Sequence, residues 1–466
     1  MERPRPALSL LQRLGYSVGH VQNDVCASMW FTYLLVFFQM VLGWPAHVAG
    51  IVMLIGQIAD ALSTPFVGLQ ADRRDKFWLC RYGRRKTWHL IGTICVLVSF
   101  PFLFSPCIGC RNAPGDYWDQ LVYFGAFVVV FQFGWAAVQI SHLSLIPDLT
   151  PDQHTRTGLI ACRYTFTVIA SVLVYVITWA TFHLSTGDEK IGPEDTTSFQ
   201  IVVASGLGIG IVCSILFHAV VKEAPVTDAE DDQTSANGTT ASVPSKGDSQ
   251  KTVKEQLCSV ALYQVALVYM STRLFANLSQ VYTPLYLSEQ RLGAESLAIV
   301  PLVMFLSSFC TSFVTRPMNK YLGRKIAHLV GCLIGAGGCV WVWLGAGQLY
   351  TTYEVYAVAV LLGASSSIQL VTSLGLTADL IGQDTNTGAF VYGAMSFVDK
   401  LSNGIAIAIL QAYFNDNYRN VLAYVCGGSC VLGALSLAVL VVCRTRSLSK
   451  SDANPPAQFE SSYSEI

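Results

Sequence analysis

The residues able to do chemistry in this chain are polar side chains stranded inside long apolar runs. His20 and Asp24 stand four positions apart, so a helix puts them on one face. Gln57, Asp60 and Thr64 share a face in the second run, and Gln139 and His142 in the fourth. Arg163 lies in the fifth, Arg273 and Asn277 in the seventh, and Asp399-Lys400 in the eleventh. A charge at membrane depth costs about 2.5–3.5 kcal/mol on insertion scales, so each should face a cavity or a partner. Two readings stay open for each: a solute- or ion-binding group, or a salt bridge that only locks helices together. His20 can titrate near neutral pH or simply hydrogen-bond a neighbouring helix. Asp24 and Arg163 together offer an anion for an ammonium group and a cation for a carboxylate, and arginine can grip a carboxylate through two parallel hydrogen bonds. This is chemistry for holding and releasing a small polar solute. The loops show no nucleophile–base pair and no metal constellation, so an enzyme is not expected, nor any cofactor.

Membrane helices must position these groups. The chain has 466 residues, of which 52% are hydrophobic and 13% charged, with mean hydropathy +0.47; soluble domains carry roughly 25% charge. A spanning helix needs about 20 apolar residues. Twelve runs qualify, near 15–40, 46–70, 87–106, 120–146, 157–184, 198–221, 257–288, 295–317, 325–347, 354–378, 387–412 and 420–443. No cleavable signal peptide is expected, because the first run is too long and too polar-studded. The 14 cysteines lie mostly in apolar runs as small core residues. Cys107-x-x-Cys110 falls in a loop, as a disulfide or a free pair, and has no second ligand pair for a metal.

Basic residues set the orientation. Arg3, Arg5 and Arg13, the stretch Arg73 to Lys86, Lys222 to Lys254, Lys320 to Lys325, and Arg444 to Lys450 all fall on one side, which should be cytosolic. The expected organisation is an N-terminal half over 1–221, a flexible cytosolic linker over 222–256, a C-terminal half over 257–443 and a cytosolic tail over 444–466. Internal repetition supports two halves. Tyr16, His20, Asp24 and Tyr33-Leu34 recur as Tyr269, Arg273, Asn277 and Tyr286-Leu287, and Ser141 to Asp148 matches Thr372 to Asp379. An all-α membrane protein follows, with twelve transmembrane helices in two pseudo-symmetric six-helix halves.

Gly68-x-x-x-Asp72-Arg73, followed after an insert by Gly83-Arg84-Arg85-Lys86, resembles the signature loop of the major facilitator superfamily. The insert Arg74 to Cys80 departs from the usual spacing. Glycine is expected to let two helix ends approach there, and the charges to pair across the gap as a gating loop. Asp60-Ala-Leu-Ser-Thr64-Pro65-Phe-Val-Gly68 and Trp88-His-Leu-Ile-Gly92-Thr93 resemble the glycoside–pentoside–hexuronide:cation symporter branch. That resemblance implies a coupling role for Asp60 and Lys400, with Thr64 in place of a second aspartate, and a substrate role for Asp24 and Arg163. Gln139 stands where the branch has another aspartate that anchors sugar.

Gly19-His20-x-x-Asn23-Asp24-x-Cys26, Phe131-Gln-Phe-Gly134-Trp135, Gln139-Ile-Ser-His142 and Gly388-Ala-Phe-Val-Tyr392-Gly resemble an animal group of the superfamily found in lysosomes and melanosomes. The resemblance covers nearly the whole chain outside the linker and termini. It implies cysteine import into the organelle in support of pigment synthesis. The candidate substrate residues are Asp24, Arg163, Gln139, His20, Trp135 and Tyr392, with Tyr164 as a further lining candidate, and a coupling proton or cation is expected. A sugar or another small polar solute is the alternative within transport. A non-transporting scaffold is the alternative outside it, and would not need the intramembrane charges. Tyr463-Ser-Glu-Ile466 fits the tyrosine-based signal that clathrin adaptor complexes read on cytosolic tails. The expected partners are therefore a small solute, the lipid bilayer and such adaptors, with no nucleic acid.

Overall fold

The computed structural model describes residues 8–72, 82–110, 116–150, 152–184, 191–223, 259–381, 385–414 and 417–452. Its first span is broken: α1 (Leu10–Val18) and α2 (Val21–Val36) meet at Gly19-His20, and a π turn, Phe37–Val41, ends the span. There follow α3 (Ala46–Asp72), α4 (Arg84–Leu103), α5 (Trp118–Ser144), α6 (Gln153–Leu184) and α7 (Thr196–Val220). The second half holds α8 (Val260–Glu289), α9 (Ser296–Tyr321), α10 (Arg324–Leu344), α11 (Val355–Ile381), α12 (Thr385–Tyr413) and α13 (Gly427–Asp452). With α1 and α2 as one unit these are the twelve expected spans. Helices dominate because lipid cannot satisfy backbone amides and carbonyls.

Among the described residues, eleven helices are long and apolar enough to cross a membrane. The helix outside that set is α8, which is long enough at 30 residues but carries Gln264, Arg273, Asn277 and Gln280. The last helix overruns its expected end and continues to Asp452.

Close packing within the first half rests on small residues. A Cβ on Gly92 would lie 2.7 Å from the Gly134 carbonyl oxygen, and one on Gly134 would lie 2.8 Å from that of Gly92. The backbones of α4 and α5 therefore touch directly, as small residues permit. Gly68, expected to allow a close approach, meets nothing within 4 Å, so the approach belongs to other glycines. The halves meet where α3 packs on α12, α6 on α9, and α2 on α8.

At the end opposite the basic loops an aromatic cluster fills the interior of the first half. Phe38 stacks on Trp44 at 4.7 Å, Phe124 meets both edge-on, and Phe37 packs on Phe104 and Phe199. Such pairs add about 0.5–1.5 kcal/mol each beyond area burial. In the loop at that end Cys107 and Cys110 form a disulfide, which resolves the alternatives left by their spacing.

Candidate functional site

Two polar centres occupy the depth of the fold. The first joins the halves. Lys400 on α12 places Nζ 2.6 Å from Oδ1 of Asp60 on α3, and donates to Thr64 Oγ1 at 2.7 Å. Thr64 in turn donates to the Asp60 backbone carbonyl at 2.9 Å. Helical spacing puts Asp60 and Thr64 one turn apart, so one ammonium reaches both. The preceding residue, Asp399, points to its own half: Arg273 Nε lies 2.8 Å from its Oδ2, and Asn403 donates to its Oδ1 at 2.8 Å. A charged chain thus runs from α8 through α12 to α3.

The second centre lies in the first half. His20 Nδ1 donates to Asp24 Oδ1 at 2.9 Å, the contact their spacing predicts. Thr167 on α6, one turn beyond Arg163, donates to Asp24 Oδ2 at 3.0 Å. Arg163 is half-buried, and its charge is felt at His20, His142 and Tyr16. Asp24 and Arg163, of opposite charge, do not pair with each other: among the described residues the carboxylate is held by His20 and Thr167, while Arg163 Nε is buried without a hydrogen-bond partner. His20, at the N-terminal cap of α2 and four residues before Asp24, is the shorter reach. Trp135 Nε1 donates to Gln139 Oε1 at 2.9 Å, and Asn23 donates to the Trp135 carbonyl at 3.0 Å, tying α5 to α2.

A cavity of about 170 Å³ at mid-depth is lined by Arg273, Asn277 and Gln280 of α8, Met304 and Phe305 of α9, and Tyr175 of α6. Asp24, Arg163 and Gln139 do not line it. Tyr164 is 47% exposed and lies against Phe309 of the other half. The side chain of Tyr392 lies outside the described residues, as do the side chain of Asp72 and all of Arg73, Tyr463 and Ile466.

The basic turn is held within its own half. Gly83 precedes α4 with φ 122°, a conformation that favours glycine, and the amides of Arg85 and Lys86 donate to the Glu223 carboxylate. Arg85 forms an ion pair with Asp148 at the end of the α5 region. The second half repeats the device: Gly323 has φ 80°, and Arg324 pairs with Asp379. Asp148 and Asp379 are matching positions of the repeat. Among the described residues, hydrogen bonds and ion pairs joining the halves lie at mid-depth and at the end opposite the basic turns. Tyr418 and Gln39, Gln39 and Gln411, and His183 and Glu295 meet at that end.

Sequence reasoning passed over Thr167, Glu223, His89 and His218. His89 and Thr93 share a helix face, which was a usable signal; the partners of Glu223 and His218 arise only from tertiary packing.

A family model described as MFS/sugar transport protein matches residues 15–415. The chain is 44% identical to human major facilitator superfamily domain-containing protein 12 across 95% of each chain, and 44% identical to the mouse protein of that name across 94% of this chain and 95% of that one. A crystal structure of a D-xylose-proton symporter shares the fold with TM-score 0.64 at 15% identity, covering 92% of this chain and 96% of the other. The twelve helices are thus those of the major facilitator fold, and the chain belongs to the MFS/sugar transport protein family, on the branch of major facilitator superfamily domain-containing protein 12.

Proposed function

We propose that this multi-pass transporter carries cysteine from the cytosol into lysosomes and melanosomes by alternating access. The observation that carries the reading is an anion, Asp24, in the same centre as an arginine, Arg163, whose Nε has no partner among the described residues. A zwitterion supplies what each needs: its carboxylate takes Arg163, and its ammonium replaces His20 at Asp24. The resemblance of the sequence to organellar cysteine transporters supports the choice of amino acid. Trp135, Gln139 and Tyr392 would complete the pocket.

Asp60, Thr64 and Lys400 form the coupling group. When the halves part, Asp60 loses its ammonium partner and becomes available to a proton or cation. The cross-half bonds at the end opposite the basic turns support a state open towards the basic-loop side. On this reading that side is the cytosol, both termini face it, and the linker and tail divide the chain as the sequence suggests. The tail signal Tyr463 to Ile466 would then reach clathrin adaptors.

The family description and a relative, the isoprimeverose transporter of Lactiplantibacillus pentosus (23% identical, covering 72% of this chain and 65% of that protein), favour a sugar as the second reading. Uptake into proteoliposomes of labelled cysteine and labelled pentoses separates the two. Cysteine should accumulate, and Asp24→Asn should reduce its uptake at least tenfold at equal protein. Pentose uptake without cysteine uptake overturns the proposal.

A further inference from the structure

At the positions that match His20 and Asp24, the second half carries Arg273 and Asn277, so the charge there is reversed. Arg273, Asn277 and Gln280 follow one another at helical spacing along one face of α8, and all three line the mid-depth cavity of about 170 Å³. Arg273 spends only one donor of its guanidinium on the protein: Nε donates to Asp399 Oδ2 at 2.8 Å. Asn403 holds the other oxygen of that carboxylate at 2.8 Å, which fixes the plane of the fork. Neither Nη1 nor Nη2 meets an acceptor among the described residues, and 27% of the side chain stays accessible. These two nitrogens can take a carboxylate end-on through parallel hydrogen bonds. Asn277 is 9% exposed, yet its amide has no hydrogen-bond partner among the described residues. Buried polar side chains are nearly always paired. A cation and a buried amide that face one cavity with hydrogen bonds to spare therefore point to a ligand.

We propose that this cavity binds a small carboxylate that carries no ammonium group. The ligand's carboxylate sits on Nη1 and Nη2 of Arg273. The Asn277 amide, one helical turn on, takes a neighbouring hydroxyl, since it can both donate and accept. Met304 and Phe305 give the wall that receives a short alkyl group. Among the described residues lining the cavity there is no aspartate or glutamate. Asp399 lies behind Arg273 and is already held by Arg273 and Asn403. An ammonium group would thus meet a cation and no free anion. The first centre is the opposite case, because Asp24 stands there to receive one. The volume equals the share of about six waters at ~30 Å³ each, room for a solute near the size of lactate.

The site touches both halves. Tyr175 of α6 lines it from the first half, and its hydroxyl lies 3.1 Å from Thr32 Oγ1 of α2. Gln280 donates to the same Thr32 oxygen at 3.4 Å, across the halves. Arg273 is also the outer end of the charged chain through Asp399 and Lys400 to Asp60. A ligand in contact with both halves binds one arrangement of them better than another, so its occupancy shifts the balance between arrangements. The site is separate from the cysteine reading, because neither Asp24 nor Arg163 lines this cavity.

Three near-isosteres test the site: lactate, alanine, which has an ammonium in place of the hydroxyl, and lactamide, which has an amide in place of the carboxylate. Thermal unfolding of the full chain in detergent is followed while each is titrated at neutral pH and constant ionic strength. Lactate should raise Tm in a saturable way. Alanine and lactamide should bind at least tenfold more weakly. Arg273→Lys keeps a cation beside Asp399 but loses the fork, and should weaken lactate at least fivefold. Asn277→Ala leaves the pair of Arg273 with Asp399 in place and should weaken lactate at least threefold, which keeps the site testable if Arg273→Lys does not fold. No rise of Tm with lactate, equal protection by lactate and lactamide, or parent affinity in both variants overturns the site. Loss of the lactate effect in Arg163→Gln, with Arg273→Lys like the parent, places the anion in the first centre and overturns it as well.

Discussion

Lys400 holds two groups of the opposite half at once, the Asp60 carboxylate and the Thr64 hydroxyl. Removing one member of a buried ion pair leaves the other charged and unpaired, at a typical cost of about 3–5 kcal/mol. Here the side chains retain 16% and 12% of their exposure, so Lys400→Met should destabilise by about 3 kcal/mol or less. Asp60→Leu combined with Lys400→Met should recover most of that, because no lone charge remains. Thermal unfolding of the four purified forms gives the cycle, and an additive double variant would mean that the pair contributes nothing to holding the halves together. At this scale much was legible. Four-residue spacing predicts His20 on Asp24, and the resemblance places Lys400 beside Asp60. What spacing does not reveal is partner choice. Charge alone would match Arg163 to Asp24, but Thr167 and His20 hold that carboxylate. Likewise His89 and His218 lie 129 positions apart, and only the packing of α4 on α7 joins them.

Elements obey a simpler rule, since helices in lipid associate through close packing more than through hydrophobicity. The contact of Gly92 with Gly134 is backbone on backbone, so a methyl group has nowhere to go. Gly92→Ala should therefore cost about 1–3 kcal/mol as overpacking. Gly208, exposed on α7 with nothing within 4 Å of its would-be Cβ, should accept alanine without loss and with better helix propensity. Size-exclusion profiles of the two variants from equal cultures make the comparison: Gly92→Ala should give less monodisperse protein, and equal yields would contradict the tight α4–α5 contact. Apolar length located the helices well, because a span of lipid demands it. It is weakest at α8, whose polar residues lower its hydropathy. The repeat locates that helix instead, through Tyr269, Arg273 and Asn277.

Across the whole molecule, the two halves are built alike yet bonded unequally. Each fastens its basic turn to an aspartate of its own half, Arg85 to Asp148 and Arg324 to Asp379. At the opposite end the bonds cross between halves: His183 Nδ1 at the end of α6 lies 2.6 Å from Glu295 Oε1 just before α9. Both side chains of that pair are about half exposed, and an exposed ion pair contributes only about 0–1 kcal/mol. Such a contact can form and break in every cycle of the alternating access proposed above. The same exposure makes it reachable by reagents. His183→Cys with Glu295→Cys, joined through two disulfide bonds by a short bifunctional methanethiosulfonate, should hold this end shut. Solute uptake into proteoliposomes should then fall to the level of empty vesicles and return when reductant cleaves the link. The parent chain treated identically controls for its own cysteines, and each single variant controls for loss of the pair itself. Undiminished uptake by the cross-linked protein would show that this end stays closed throughout transport, and the rocking of the two halves would have to be abandoned.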